Sequence, residues 1–387
     1  MKHLMKGNVC WGTAQEGEGA GSAVESALPC YREIAGEYRR WLAYLEDNVD
    51  FSLPGSVLHG PAHTRRVLLY ALSLAFQRGL DAADTDLLAT CAVFHDTRRW
   101  DDWMDTGHGA RAAEHYAACQ RSAGATPDEL AQDIMAFHDV DDAKDAPVIA
   151  RKHGQRGLEL YRMFKDADAL DRFRLGEDAL DERFLRTVEA KNLIDAARSI
   201  SLANAAPRLV GQSGNILVVV DAQNDFISGA LGSDAAQAVL PRIVEKVKTH
   251  DGLVVFTKDT HGPDYLDTQE GRRLPVPHCV GGTFGWEIPV ELASAKGEQS
   301  CFTLCKPTFG SMDLPKLVSF VAAKRPLESI ELVGYCTDIC VVSNALILKA
   351  AFPEVRIAVD GACCAGTSEE AHASALLTMQ SCQIEIV

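Results

Sequence analysis

No run of about 18 consecutive apolar residues occurs in this chain, which argues against a membrane-spanning helix. The opening stretch MKHLMKGNVCWGTAQEGEGAGS also lacks the apolar centre of a secretory signal. Positive charge is scarce: 38 Lys and Arg stand against 54 Asp and Glu, a formal net charge of −16. That balance argues against a nucleic-acid partner, which needs clustered Lys and Arg. It gives no support for anchoring to an anionic membrane surface either. There is no internal repeat. The 12 cysteines contain no CxxC: Cys363 and Cys364 are adjacent, Cys301 and Cys305 are four apart, and both pairs read as structural. Spread over 387 residues, these cysteines do not look like the disulfide framework of a small secreted domain, so a reducing cytoplasm is expected.

What is present divides in two. The length favours two domains, and 47% hydrophobic residues are ample for two cores. Residues 1–28, rich in Gly, Ala, Glu and Ser, are expected to be flexible. From there to about 200 the apolar residues recur at helical spacing, as at 67–76, 86–94, 110–118 and 129–137, and strand-like alternation is nearly absent. This part, 29–200, reads as all-α. Residues 201–213 lose that periodicity and read as a linker. Over 214–387 short β-branched runs at 216–220, 253–256, 329–333, 355–359 and 384–387 alternate with helical patterns. That alternation implies an α/β domain with a parallel sheet covered on both faces.

Three segments of the second half carry reactive side chains where a strand ends or a helix begins. They are VVVDAQNDF with Asp221, CKPTFGS with Lys306 and GYCTDICV with Cys340. Chemistry in open α/β sheets gathers at the carboxyl ends of strands. Cysteine attacks as the thiolate, and a helix start favours negative charge at Cys340, so a lowered thiol pKa is expected. Asp221 is placed to take the thiol proton and return it to a leaving amine. Lys306 can hold both charges. An oxyanion needs two donors, and the Cys340 N–H is one candidate.

These motifs resemble the isochorismatase-like cysteine hydrolases, the superfamily that includes nicotinamidases, over about 214–387. The resemblance implies a catalytic triad of Asp221, Lys306 and Cys340, and a six-stranded parallel sheet between helices. It implies a cis peptide between Tyr335 and Cys336, with the N–H groups of Cys336 and Cys340 as oxyanion donors. Phe226 and Tyr335 become substrate contacts. The nicotinamidase branch also carries a metal, which would fall on Asp259, His261 and His278. Two imidazoles and a carboxylate suit zinc, iron or manganese. Where the branch has a further histidine this chain has Asp267, with Glu270 another candidate. Its aromatic residue before the PxHC segment is replaced, with Leu274 and Pro275 standing there.

In the first half, His63 lies near a helix start, His95 and Asp96 at a helix end, and Asp166 and Asp168 in FKDADAL. Histidine and carboxylate groups from several helices can converge on one divalent cation. The order H…HD…D resembles the HD-domain metal-dependent phosphohydrolases over roughly 30–195. The resemblance maps the metal ligands onto His63, His95, Asp96 and Asp168, adds His108 and His138, and implies Mn, Fe, Mg, Co or Zn. Arg98 and Arg99 are either phosphate contacts or solvated charges. His59 stays unassigned, and His115 and His153 are expected at the surface.

The expectation is a hydrolase with small-molecule substrates. Its α/β half cleaves a nicotinamide-like carboxamide through a thioester, and its helical half is a phosphohydrolase. Alternatively the helical half is the main activity, or a ligand-binding module, and the thiol acts on another amide. Related hydrolases often assemble, so a homo-oligomer is also expected.

Overall fold

The computed structural model describes residues 24–209, 213–295 and 301–387. Of the segment expected to be flexible, 1–23 lie outside the described residues, 24–27 form a helical turn and Leu28 is fully buried. The principal helices of the first part are α1 (Tyr31–Asn48), α2 (Pro61–Arg78), α3 (Ala82–Phe94), α4 (His108–Ser122), α5 (Glu129–Phe137), α6 (Asp142–Leu170) and α7 (Ile194–Leu209). Each apolar period read from the sequence falls within one of them. Helix α6 is broken at Gly154, whose φ of +67° leaves the helical region at little cost for glycine. The expected linker at 201–213 is helical as far as Leu209. Its residues 201–206 lose the apolar period, but Leu202 and three alanines are strong helix formers.

The second part is a three-layer α/β domain. Strands β1 (Asn215–Val220), β2 (Leu253–Asp259), β3 (Cys301–Lys306), β4 (Ser329–Tyr335), β5 (Arg356–Ala365) and β6 (Glu385–Ile386) form one sheet in the order β3-β2-β1-β4-β5-β6. Every pairing is parallel. Between them run α8 (Asp234–Thr249), α9 (Leu314–Ala322), α10 (Val342–Ala351) and α11 (Glu369–Ser381). All of β2 and nearly all of β1 are buried, as β-branched runs covered on both faces should be. Strand β3 has no such run and was expected only from the family resemblance. Because β2 and β4 flank β1 on opposite sides, the strand order reverses there, and a crevice opens beyond the ends of β1 and β4.

The chain falls into two compact units whose borders differ from the expected domains. One holds residues up to Val49, Arg65–Val93 and Asp142–Asn204. The other joins Asp50–Thr64 and Phe94–Asp141 to the α/β part. The physical reason lies on the outer edge of β3. Asp102 gives its N–H to the Thr303 carbonyl and accepts the Thr303 N–H, both at 2.8 Å. Asp101 accepts the Cys305 N–H at 3.2 Å, and Ser56 bridges to Cys301. An edge strand exposes such groups until something covers them. No described helix is long and apolar enough to cross a membrane. The described cysteines are all free thiols.

Candidate active site

Sheet register assembles the first three groups. Val220 pairs with Gly334, so the residue after β1, Asp221, lies beside the turn that leaves β4. Gly334 has φ +121°, and a Cβ there would lie 2.1 Å from the Val220 carbonyl oxygen, so only glycine allows this approach. Asp259 pairs with Lys306 at the ends of β2 and β3, which brings that lysine to the crevice. Lys306 Nζ then sits 2.6 Å from Asp221 Oδ2, 3.4 Å from Asp259 Oδ1 and 3.5 Å from Cys340 Sγ. It also donates to the Thr308 carbonyl at 3.1 Å. Thr257 donates its hydroxyl to Asp221 Oδ1 at 2.7 Å. The sequence reading missed Thr257, although it lies two residues before Asp259 on the same face of β2.

The Tyr335–Cys336 peptide is cis. The chain then makes a π-helical turn, Thr337–Val341, in which the Cys336 carbonyl accepts from Ile339 and Val341, before α10 begins at Val342. Cys340 therefore stands just ahead of the α-helix. Burial pushes its thiol well above the usual range, the Asp221 carboxylate adds to that, and Lys306 opposes it. This direction is opposite to the lowered thiol expected from the sequence, because burial outweighs the adjacent helix start. Burial and Asp259 also raise the Asp221 carboxyl, against the pull of Lys306.

A second cluster lies beside the first. Asp259 Oδ2 is 3.1 Å from His261 Nε2 and 3.6 Å from His278 Nε2, and Glu270 Oε1 is 3.8 Å from both imidazoles. One ligand atom from each of the four lies within 4.8 Å of the others. His278 Nδ1 faces the Val276 carbonyl at 2.9 Å, which leaves Nε2 for a ligand. Burial alone would raise the Asp259 carboxyl, but hydrogen bonds from His261 and His278 and the Lys306 charge bring it well below the usual range. Two imidazole nitrogens and two carboxylates match the donor set of zinc, iron or manganese. Asp267 is not in this group. It ends a 3₁₀ turn, while Glu270 on the following helical turn reaches in.

Cys340, Cys336, Asp259, Glu270, His278 and Phe226 all line one cavity of about 310 Å³. Tyr335 lines it too, its hydroxyl tied to the Ala236 carbonyl at 2.8 Å, and so does Leu274. The volume is at the small end of ligand pockets, which suits a single-ring molecule.

In the same compact unit, a separate group centres on Asp96. Its Oδ2 is 2.8 Å from His59 Nδ1 and 3.5 Å from His63 Nε2, and its Oδ1 is 3.1 Å from His108 Nε2 and 3.8 Å from His138 Nε2. His95 Nε2 is 3.1 Å from His63 Nε2. Burial would raise the Asp96 carboxyl, but Arg99, His95 and His59 hold it well below the usual range. Asp96 with His59 and His63, and Asp96 with His108 and His138, are each close enough to share an ion. His59, left unassigned by the sequence, is thus part of the cluster. Arg99 is buried beside Asp96 and His108, whereas Arg98 pairs with Asp50. His115, expected at the surface, contacts Thr97 and Asp50 with its side chain only 8% exposed. Asp166 and Asp168 belong to α6 in the other unit. Asp166 there is fully buried and accepts hydrogen bonds from Arg186 and Thr187.

Comparison with known proteins places the α/β part. Residues 215–387 match the isochorismatase domain family. An uncharacterized isochorismatase family protein of Bacillus subtilis (strain 168) is 26% identical over 171 residues, 41% of this chain and 91% of the relative. The crystal structure of a Bacillus subtilis nicotinamidase/pyrazinamidase is 26% identical, covering 45% of this chain and 98% of its own, with a TM-score of 0.40. A pyrazinamidase of Pyrococcus horikoshii in complex with zinc is 24% identical over 45% of this chain and 99% of its own, with a TM-score of 0.37.

Proposed function

We propose that the α/β half hydrolyses a small carboxamide of the nicotinamide type to acid and ammonia through a thioester on Cys340. The observation that carries this is the shared cavity. The Cys340 thiol, with Lys306 and Asp221 behind it, and three members of the metal-binding group, Asp259, Glu270 and His278, line the same small space.

The chain's own groups divide the work. Cys340 is a neutral thiol at rest, since burial holds its pKa up. As its sulfur bonds to the amide carbon, Asp221 takes the proton, and Lys306 offsets the negative charge that moves between them. The carbonyl oxygen becomes an oxyanion, for which the backbone N–H groups of Cys336 and Cys340 are the donors. Asp221 then returns its proton to the nitrogen, the C–N bond breaks and ammonia leaves. Water deprotonated by Asp221 attacks the thioester, releases the acid and restores the thiol. Phe226 packs on a planar ring in the cavity, 5.7 Å from the His278 ring. Asp259, His261, Glu270 and His278 would hold a divalent cation, which when bound offers a ring nitrogen a Lewis-acidic partner.

Ammonia release from nicotinamide tests this directly. Wild-type protein should release ammonia, and Cys340→Ala should lose at least about a thousandfold in kcat with an unchanged unfolding temperature. Equal turnover by the variant would remove the thiol mechanism. No release by protein whose Cys340 still alkylates would redirect the search to other amides, with Leu274 as the first position to vary.

A second reading concerns the helical part. The ring of imidazoles around Asp96 favours an HD-type metal-dependent phosphohydrolase. Phosphate release from nucleoside monophosphates with Mn²⁺ should disappear in Asp96→Ala and persist in Cys340→Ala. Phosphate release that survives Asp96→Ala would exclude it.

A further inference from the structure

The edge of β3 is capped by a segment that begins at the Asp96 cluster. Only four residues separate Asp96 from Asp101. Arg99 spans that interval: its Nη1 is 3.5 Å from Asp96 Oδ1, and its Nε donates to the Asp101 carbonyl at 3.1 Å. The Asp101 carboxylate is committed at both oxygens. Oδ1 accepts the Trp103 N–H at 2.8 Å, which sets the turn, and Oδ2 accepts the Cys305 N–H at 3.2 Å. Cys305 immediately precedes Lys306. Its thiol also faces the Trp100 carbonyl at 3.4 Å. Asp101 is 5% exposed and Arg99 equally so, which keeps both interactions out of competition with water.

Lys306 needs this support. It ends an edge strand with a ladder on one side only, through β2. Its ammonium must stay within reach of Asp221, Asp259 and Cys340 together, and displacement by about 1 Å is enough to lower a catalytic rate strongly. On the outer side of β3, the last backbone bond before Lys306 is the one to Asp101.

We propose that Asp101 is a positioning residue for the thiol site: it fixes the end of β3 that carries Lys306, and Arg99 ties it to the Asp96 cluster. This rests on the amide-hydrolase reading of Cys340 and names a group outside the cavity that serves it.

The test compares full-length wild type, Asp101→Ala, Asp101→Asn, Asp102→Asn and Arg99→Ala. Two readouts are taken: kcat and KM for nicotinamide per alkylatable Cys340, and the iodoacetamide alkylation rate of Cys340 followed on its peptide by mass spectrometry. Asp101→Ala should lower kcat per thiol about tenfold with KM within twofold, and should shift the alkylation rate at least threefold. Asp101→Asn keeps an acceptor for Cys305 and should recover most of both. Asp102→Asn acts two residues further from Lys306 and should change kcat less than Asp101→Ala does. Wild-type kcat and alkylation rate in Asp101→Ala would overturn the proposal, and so would equal losses at Asp101 and Asp102, which signify general edge packing. Should Asp101→Ala not fold, Arg99→Ala decides, with about a threefold loss in kcat expected and none overturning it. Should the wild type release no ammonia from nicotinamide, the choice of nicotinamide fails by itself, and the alkylation rates still decide whether Asp101 positions the thiol site.

Discussion

The two clusters with metal-binding side chains are built in opposite ways. Around Cys340, Asp221, Asp259 and Lys306 come from strand ends, and ladder register places them: Val220 opposite Gly334, Asp259 opposite Lys306. His261, Glu270 and His278 join them from the segment that follows β2. Around Asp96 they come from helix ends and the turns beside them, and the centre is one carboxylate ringed by imidazoles. A parallel ladder delivers every strand end to the same side of the sheet, so order in sequence nearly specifies neighbours in space. Helix ends have no such rule. Their meeting depends on packing angles and on which turn each side chain projects from. Reactive residues at strand ends can thus be grouped from sequence, whereas those at helix ends can be nominated but not grouped.

Removing one member of a buried ion pair gives the largest effect. Lys306 and Asp221 are both fully buried at 2.6 Å. In the helical unit, Arg66 and Asp171 pair at 2.6 Å, with Ser201 also donating to Asp171. Lys306→Ala and Asp171→Ala should each cost about 3–5 kcal/mol of unfolding free energy, because each strands a buried charge. Urea unfolding measures both. If Lys306→Ala costs far less, Asp221 is neutral in that variant, and the strand-end site tolerates a change that the helical unit does not.

A smaller effect separates two carboxylates of one loop. Glu270→Gln should weaken metal binding about tenfold or more, as lost ligands and their supports do. Asp267→Asn should leave it unchanged. Zinc titration of each variant, with Asp96→Ala in the background to silence the other cluster, reads the difference. The reverse order would restore Asp267 as the fourth ligand.

The smallest effect belongs to the helical unit. Burial raises the Asp142 carboxyl, but hydrogen bonds from Arg186 and Lys165 more than reverse this and hold it at about 2. A carboxyl lowered on folding stabilises the fold fully above its ordinary value near ~4 and loses that contribution as pH falls through about 2. Asp142 is more than a third exposed, so screening limits the effect to under about 1 kcal/mol. Asp142→Asn should flatten the acid limb of the stability curve by that amount. No change between pH 5 and 2 would mean that the pair contributes nothing.

Much of the α/β half was legible. Five strands announced themselves as β-branched runs, and Asp221, Lys306 and Cys340 stand at the element ends where they were expected. Strand β3 was not legible from its residues, because CFTLCK has neither a β-branched run nor clean alternation. The choice of Glu270 over Asp267 was open for a similar reason: a 3₁₀ turn followed by a short helix decides which carboxylate turns inward. The direction of the Cys340 shift was misjudged because helix starts can be read from sequence and burial depth cannot.

By itself the sequence determined most of the secondary structure, β3 and the helical stretch 201–209 excepted, since the period of 3.6 and the β-branched runs are local properties. It also determined which residues could carry chemistry, because residue type limits protonation and ligation. Only the tertiary structure decided which residues beyond the strand ends share a site. It drew His59 to Asp96, placed Thr257 under Asp221, and divided the chain so that residues 94–141 join the sheet rather than the remaining helices. The reason is that an edge strand must satisfy its outward N–H groups. Asp101 and Asp102 satisfy those of Cys305 and Thr303 from about 200 residues away, a distance over which no local pattern carries information.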